Sequence, residues 1–125
     1  MKRDLDLIRE ILIKAEEADG GISDCDLVND KYTIAEVAFN VELMRERGLI
    51  EASIDHAGFN DKPYSVDIDR ITWEGYDYLD AIRSRKVWEK ARQAISAAVG
   101  DTSLSVVKET CQIVAQSLIK QQLGL

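Results

Sequence analysis

Apolar residues recur along this chain with two periods, and the switch from one to the other marks out its elements. Leu5, Ile8, Leu12, Ala15 and Ala18 fall on one face of a helix predicted over residues 4–18. Asp4 and Asp6 lie in its first turn, where the helix dipole favours negative charge, and Gly20-Gly21 stops it. Helical spacing returns with Val37, Val41 and Met44. Thr33 and Glu36 make a capping box at the start of that helix, and Gly48 supplies the left-handed residue at its end. The period then drops to two. Ile50, Ala52 and Ile54 alternate with Glu51, Ser53 and Asp55; after the polar, turn-rich stretch from His56 to Pro63, Tyr64, Val66 and Ile68 alternate with Ser65, Asp67 and Asp69. This predicts a two-stranded antiparallel hairpin at about 49–55 and 64–70, with the even-numbered residues inward.

Beyond the hairpin the spacing is helical again. Thr72 caps a segment with Gly75, Leu79 and Ile82 inward, and Gly75 sits where a close approach to the sheet would need no side chain. Trp88, Ala91, Ile95 and Ala98 define a helix over 86–99 ended by Gly100, and Trp88 is expected in the core. Thr102 or Ser103 caps a last helix carrying Leu104, Val107, Cys111, Val114 and Leu118, a set that repeats in sevens. Residues 22–31 fit either a short strand closing the sheet or a turn of helix. Helix, hairpin, helix is the back half of a winged helix. The expected class is α+β, mainly helical: a winged helix-turn-helix with a two- or three-stranded antiparallel sheet. Residues 1–84 would form its core, and residues 85–125 a C-terminal helical extension packed on that core as a single domain.

With 125 residues, 46% of them hydrophobic and 31% charged, the chain has the make-up of a globular protein with one core. Its net charge of −7 sits poorly with nucleic-acid binding, where phosphate contacts supply most of the affinity, although a local basic face is compatible with an acidic total. Cys25 and Cys111 have no paired spacing, Asp4 and Asp6 interrupt any leader-like apolar run, and no apolar stretch reaches the roughly 18 residues of a membrane span. A cytoplasmic location without membrane contact is expected. Catalysis is not: His56 is the lone histidine and has no cysteine nearby, and no glycine-rich phosphate loop occurs. Asp24 with Asp26, and Asp67 with Asp69, have a spacing that could hold a cation but equally describes a polar strand surface. No cofactor or metal is expected.

Three stretches, MKRDLDLIREIL at 1–12, EVAFNVELMRERGLI at 36–50 and ITWEGYDYLDAIRSRKVW at 71–88, resemble the small bacterial and prophage family catalogued as domain of unknown function "twenty-five thirteen", over nearly the whole chain. The turn after Gly48 and the Thr-x-x-Gly after the hairpin look like winged-helix regulators. That resemblance implies that the helix at 33–47 is the recognition helix and the loop at 56–63 the wing. In one departure, the family tends to carry a histidine where this chain has Asn40.

Two binding functions follow: a DNA-binding or transcription-associated module of prophage type, or a winged helix serving as an acidic protein–protein interaction module. For DNA, Lys31, Arg47 and Lys62 are the candidate phosphate contacts and Asn40 the base reader, because an amide can pair with adenine in the major groove. For a protein partner, Phe39 and Leu43 are the candidate anchors. Thr33, Glu36, His56 and Phe59 complete the candidate contact surface. The plainer alternative packs Phe39 under the wing and leaves Asn40 solvated. Arg83, Arg85, Lys86, Lys90 and Arg92 form a basic run that reads as a solvated face or a phosphate-facing patch. Trp73 and Tyr76, three apart, sit near a face that fits either side of the core boundary. The sevenfold stripe of the last helix is too short to define a coiled coil and reads first as docking on its own domain, with a homodimer through that helix as the alternative. An acidic face over residues 33–47 and 56–63 would count against DNA.

Overall fold

The structure, a computed structural model, describes residues 1–57 and 62–125. The chain divides into two compact units, residues 1–77 and 78–125. Six helices and a three-stranded antiparallel sheet occur among the described residues, in the order α1 (Leu5–Glu17), β1 (Ile22–Ser23), α2 (Asp24–Leu27), α3 (Ile34–Arg47), β2 (Ile50–Ala57), β3 (Lys62–Ile71), α4 (Trp73–Ile82), α5 (Arg85–Ala98) and α6 (Leu104–Gln122). The first unit holds everything up to the start of α4 and has a winged-helix-like arrangement.

Asp4, expected in the first turn of α1, stands just ahead of it as the N-cap and accepts the Leu7 N–H at 3.0 Å. The caps legible in the sequence set the ends of α3. Thr33 and Glu36 close the capping box of α3, and Gly48, with φ 81°, ends that helix. The inward stripe of α3 is as expected: Val37, Val41 and Met44 have no exposed surface. Helix α1 is buried on a broader arc than its expected face, since Leu7 and Ile11 are inside along with Leu5, Ile8 and Leu12, whereas Ala15 and Ala18 are half-buried. Both helices contact each other and β3, so their apolar faces and the inner face of the sheet form one core. Burying each of these aliphatic side chains stabilises the unit by about 1.5–3 kcal/mol.

The hairpin pairs β2 with β3, and β3 is the central strand of the order β1-β3-β2. Ile50, Val66 and Ile68 are buried and Ala52 and Ile54 half-buried, while Asp67 and Asp69 face solvent, as the alternation predicts. The Tyr64 side chain, expected inward, lies outside the description. Residues 22–31 realise both alternatives at once. Ile22 and Ser23 pair with Ile68 and Asp67 as β1, and the chain turns directly into the single helical turn of α2. The Asp24 carboxylate then accepts the Val66 N–H at 3.0 Å, where β1 no longer reaches.

Thr72 locks the start of α4 to the turn after α3. Its N–H donates to the Leu49 carbonyl at 3.0 Å, its hydroxyl donates to the Gly48 carbonyl, and its Oγ1 accepts the Gly75 N–H at 3.1 Å. Gly75 has no room for more: a Cβ there would overlap the Leu49 carbonyl oxygen and lie 2.6 Å from Ile71 Cγ2.

In the second unit Ser84 caps α5 and Ser103 caps α6, and the two helices pack on each other across the short connection at 99–103. Trp88, Ala91 and Ile95 are buried as expected. Ala98 is exposed instead, and Val87 is buried in addition. Position 98 is the last of α5, so its stripe runs out before a neighbour covers it. Along α6, Leu104, Val107 and Cys111 are buried, but Val114 and Leu118 only half so. No helix among the described residues is long and apolar enough to cross a membrane.

Candidate functional site

The sequence-nominated surface centres on α3 and the wing, and the fold draws its members to different tasks. Thr33 and Glu36 are engaged with each other: Thr33 Oγ1 accepts the Glu36 N–H at 3.2 Å, and Glu36 Oε1 accepts the Thr33 N–H at 3.2 Å and the Thr33 hydroxyl at 3.1 Å. Phe39 and Leu43 are half-buried. Arg47 is exposed, as are Glu46 and Arg45, and Arg45 is already paired with Glu42 at 2.8 Å. Lys31 lies over the Tyr32 ring at 5.3 Å, and its contact with the Tyr32 hydroxyl raises its pKa above the ordinary lysine value. Burial, ahead of the nearby Asp4 charge, likewise raises the Tyr32 phenol.

Asn40 departs from both expectations made for it. It is neither an outward reader nor solvated, but 1% exposed. The Asp4 N–H donates to Asn40 Oδ1 at 2.8 Å, and Asn40 Nδ2 donates to the Glu36 carbonyl at 2.9 Å. Its amide thus ties the N-cap residue of α1 to the first turns of α3, and both ends of the amide are occupied. The signal was present in the spacing: residue 40 is three after Val37 and four before Met44, on the inward arc of the same helix.

His56 is exposed on β2 and pairs across the sheet with Pro63. Lys62 opens β3, with its side chain outside the description, and Phe59 lies outside the described residues. The outward face of the hairpin is charged. Glu51, Ser53 and Asp55 on β2 stand opposite Arg70, Asp67 and Ser65 on β3, with Asp69 at the register shift beside them. Arg70 grips Glu51 with two hydrogen bonds, at 2.9 and 2.8 Å, which lower the Glu51 carboxyl below its ordinary pKa and raise the Arg70 guanidinium. Ser65 donates to Asp55 at 3.2 Å. Asp55, Asp67 and Asp69 have no ion pair among the described residues, so the face carries net negative charge. The other nominated acidic pair is engaged structurally: Asp24 holds Val66, and Asp26 accepts the Ser23 N–H at 2.9 Å.

Two aromatic side chains missing from the nominated set stand out at the start of α4. Trp73 is 80% exposed and Tyr76, one turn on, 43%. The i, i+3 spacing away from the Gly75–Leu79–Ile82 stripe was the available sign. In the second unit the basic run is largely engaged: Arg83 pairs with Asp80 and Arg85 with Glu89, both at 2.9 Å, and Arg92 lies over the Trp88 ring at 5.7 Å.

The profile of the family described as "Hypothetical protein (DUF2513)" matches residues 2–101. An "Uncharacterized protein" of Haemophilus influenzae (strain ATCC 51907 / DSM 11121 / KW20 / Rd) is 37% identical over 130 residues, covering 99% of this chain and 100% of that protein. No solved structure matches.

Proposed function

The chain belongs to the DUF2513 family, and on that premise we propose that it is a winged-helix-like binding module whose partner is a protein with a basic surface rather than DNA. The observation that carries this reading is the acidic outward face of the hairpin, where Asp55, Asp67 and Asp69 have no ion pair among the described residues and would repel phosphate. Residues 33–47 do not reverse the sign, since Glu36, Glu42 and Glu46 outnumber Arg45 and Arg47. Complementary charge would steer a cationic partner and set its register, and an exposed tryptophan is the kind of side chain that anchors such contacts. Trp73 supplies one. The DNA reading draws on Lys31, Arg47 and Lys62 and loses its base reader with the burial of Asn40.

The test sets a random-sequence DNA duplex against a lysine-rich polypeptide as probes, each titrated with the full chain at about 50 mM salt. The expected result is no retardation of the duplex at tens of micromolar protein, below which non-specific phosphate-driven binders usually act at low salt, with salt-sensitive capture of the polypeptide. Retardation of the duplex that weakens steeply with salt, and no response to the polypeptide, would reverse the assignment.

A further inference from the structure

Helix α6 carries a second seam, opposite the one that packs inward. Leu104, Val107 and Cys111 point into the unit. Val106, Glu109, Ile113, Gln116, Lys120 and Leu123 follow one another at spacings of three and four along the other side, and every one of them is exposed, Ile113 and Leu123 at 67% and Val106 at 41%. This is the heptad spacing of a helix that meets another helix along its length. We propose that this seam binds a second copy of the same chain, with the two α6 helices antiparallel.

The argument is self-complementarity. In an antiparallel pair centred between Val114 and Ala115, each residue of the seam meets a residue of the same seam in the other copy. Val106 meets Leu123, Ile113 meets the aliphatic stem of Gln116, and Glu109 meets Lys120. By the two-fold axis each of these layers occurs twice, and no like charges are opposed. Glu109 and Lys120 make no ion pair among the described residues of the single chain, so both are available to it. Ile119, 58% exposed, flanks the seam and widens its apolar surface on one side. A parallel pair would instead set each of these residues against its own copy, Lys120 on Lys120 and Glu109 on Glu109, which is repulsive. The seam spans roughly 25 Å, and a single helix pair of that length lies near or below the small end of stable interfaces, about 1,200 Å² in total. The dimer is therefore weak and concentration-dependent. It does not use the hairpin face, so it stands or falls separately from the partner proposed above.

Sedimentation velocity on the full chain, from about 10 μM to about 1 mM, reads the equilibrium, with far-UV circular dichroism to check that each variant is folded. A shift from monomer to dimer with concentration is expected, and Ile113→Asp should remove it. Glu109→Lys and Lys120→Glu should each raise the dissociation constant about tenfold, because each converts two attractive pairs into repulsive ones. The double variant, which restores opposite charges in exchanged places, should return to the value of the starting protein. A chain that stays monomeric throughout overturns the proposal. So does a dimer indifferent to Ile113→Asp, or a double variant no better than its singles.

Discussion

Helices α3 and α6 both present apolar residues at three-and-four spacing, yet they use their polar positions in opposite ways. In α3 most of the polar side chains are turned to internal work. Thr33 and Glu36 close the first turn, Asn40 fastens the start of α1, and Glu42 pairs with Arg45. In α6 the cap, Ser103, and Thr110, whose hydroxyl donates to the Val106 carbonyl at 2.8 Å, work within the helix, and the outer side keeps Ile113, Gln116, Lys120 and Leu123 in water. The lesson is that a helix matching a recognition helix by position can be the one least free to recognise anything. Solvent-exposed surface lies instead at the hairpin face, at Trp73 and along α6.

The contrast breaks if the inward residues turn out to be dispensable. Trp88→Ala on α5, the helix on which the inner side of α6 packs, should cost about 3–5 kcal/mol in a denaturant melt, the range for deleting a buried aromatic. A loss under about 1 kcal/mol would mean that this unit has no fixed core. Met44→Ala, at a position with no exposed surface in α3, should cost about 2–5 kcal/mol, while Ile113→Ala on the outer side of α6 should change monomer stability by no more than about 0.5 kcal/mol. Comparable losses at both sites would erase the distinction.

Asn40→Ala sharpens it further. The change leaves the Asp4 N–H without its acceptor in a partly buried setting and should destabilise the first unit by about 1–3 kcal/mol. A variant as stable as the starting protein, or one that gains duplex binding, would show that residue 40 is available after all. The smallest effect concerns the exposed Glu51–Arg70 pair. Because the folded Glu51 pKa is lowered, the contribution of the pair is in place at neutral pH and fades as pH falls through that value. Carboxyl NMR titration should find Glu51 below the ordinary glutamate range, and Arg70→Ala should bring it back up.

Much of this was readable from residue order. The capping box, the left-handed Gly48, the even-numbered alternation of the hairpin and the tight fit of Gly75 all depend on local chemistry, and each appears where the residues placed it. What escaped depends on partners distant in sequence. Asn40 looked like a surface amide because its acceptor role is completed by Asp4, 36 residues away. Residues 22–27 were ambiguous because a two-residue strand and a single helical turn are both too short to show a period, and β1 exists only by virtue of β3. Ala98 and Leu118 follow their stripes faithfully, but periodicity gives the facing side of a helix and not how far its neighbour extends. The candidate site was the least legible part, since the resemblance to winged-helix regulators directed attention to α3 and away from Trp73.

The Asp24 carboxylate has a consequence for how this sheet behaves in a crowded solution. A central strand flanked on one side by only two paired residues would otherwise offer an open ladder to any extended chain that approached it. By taking the Val66 N–H beyond the end of β1, Asp24 removes the next free donor in the row and places a charge at that point. Growth of the sheet by strand addition is discouraged on that side by one side chain, with no further strand required.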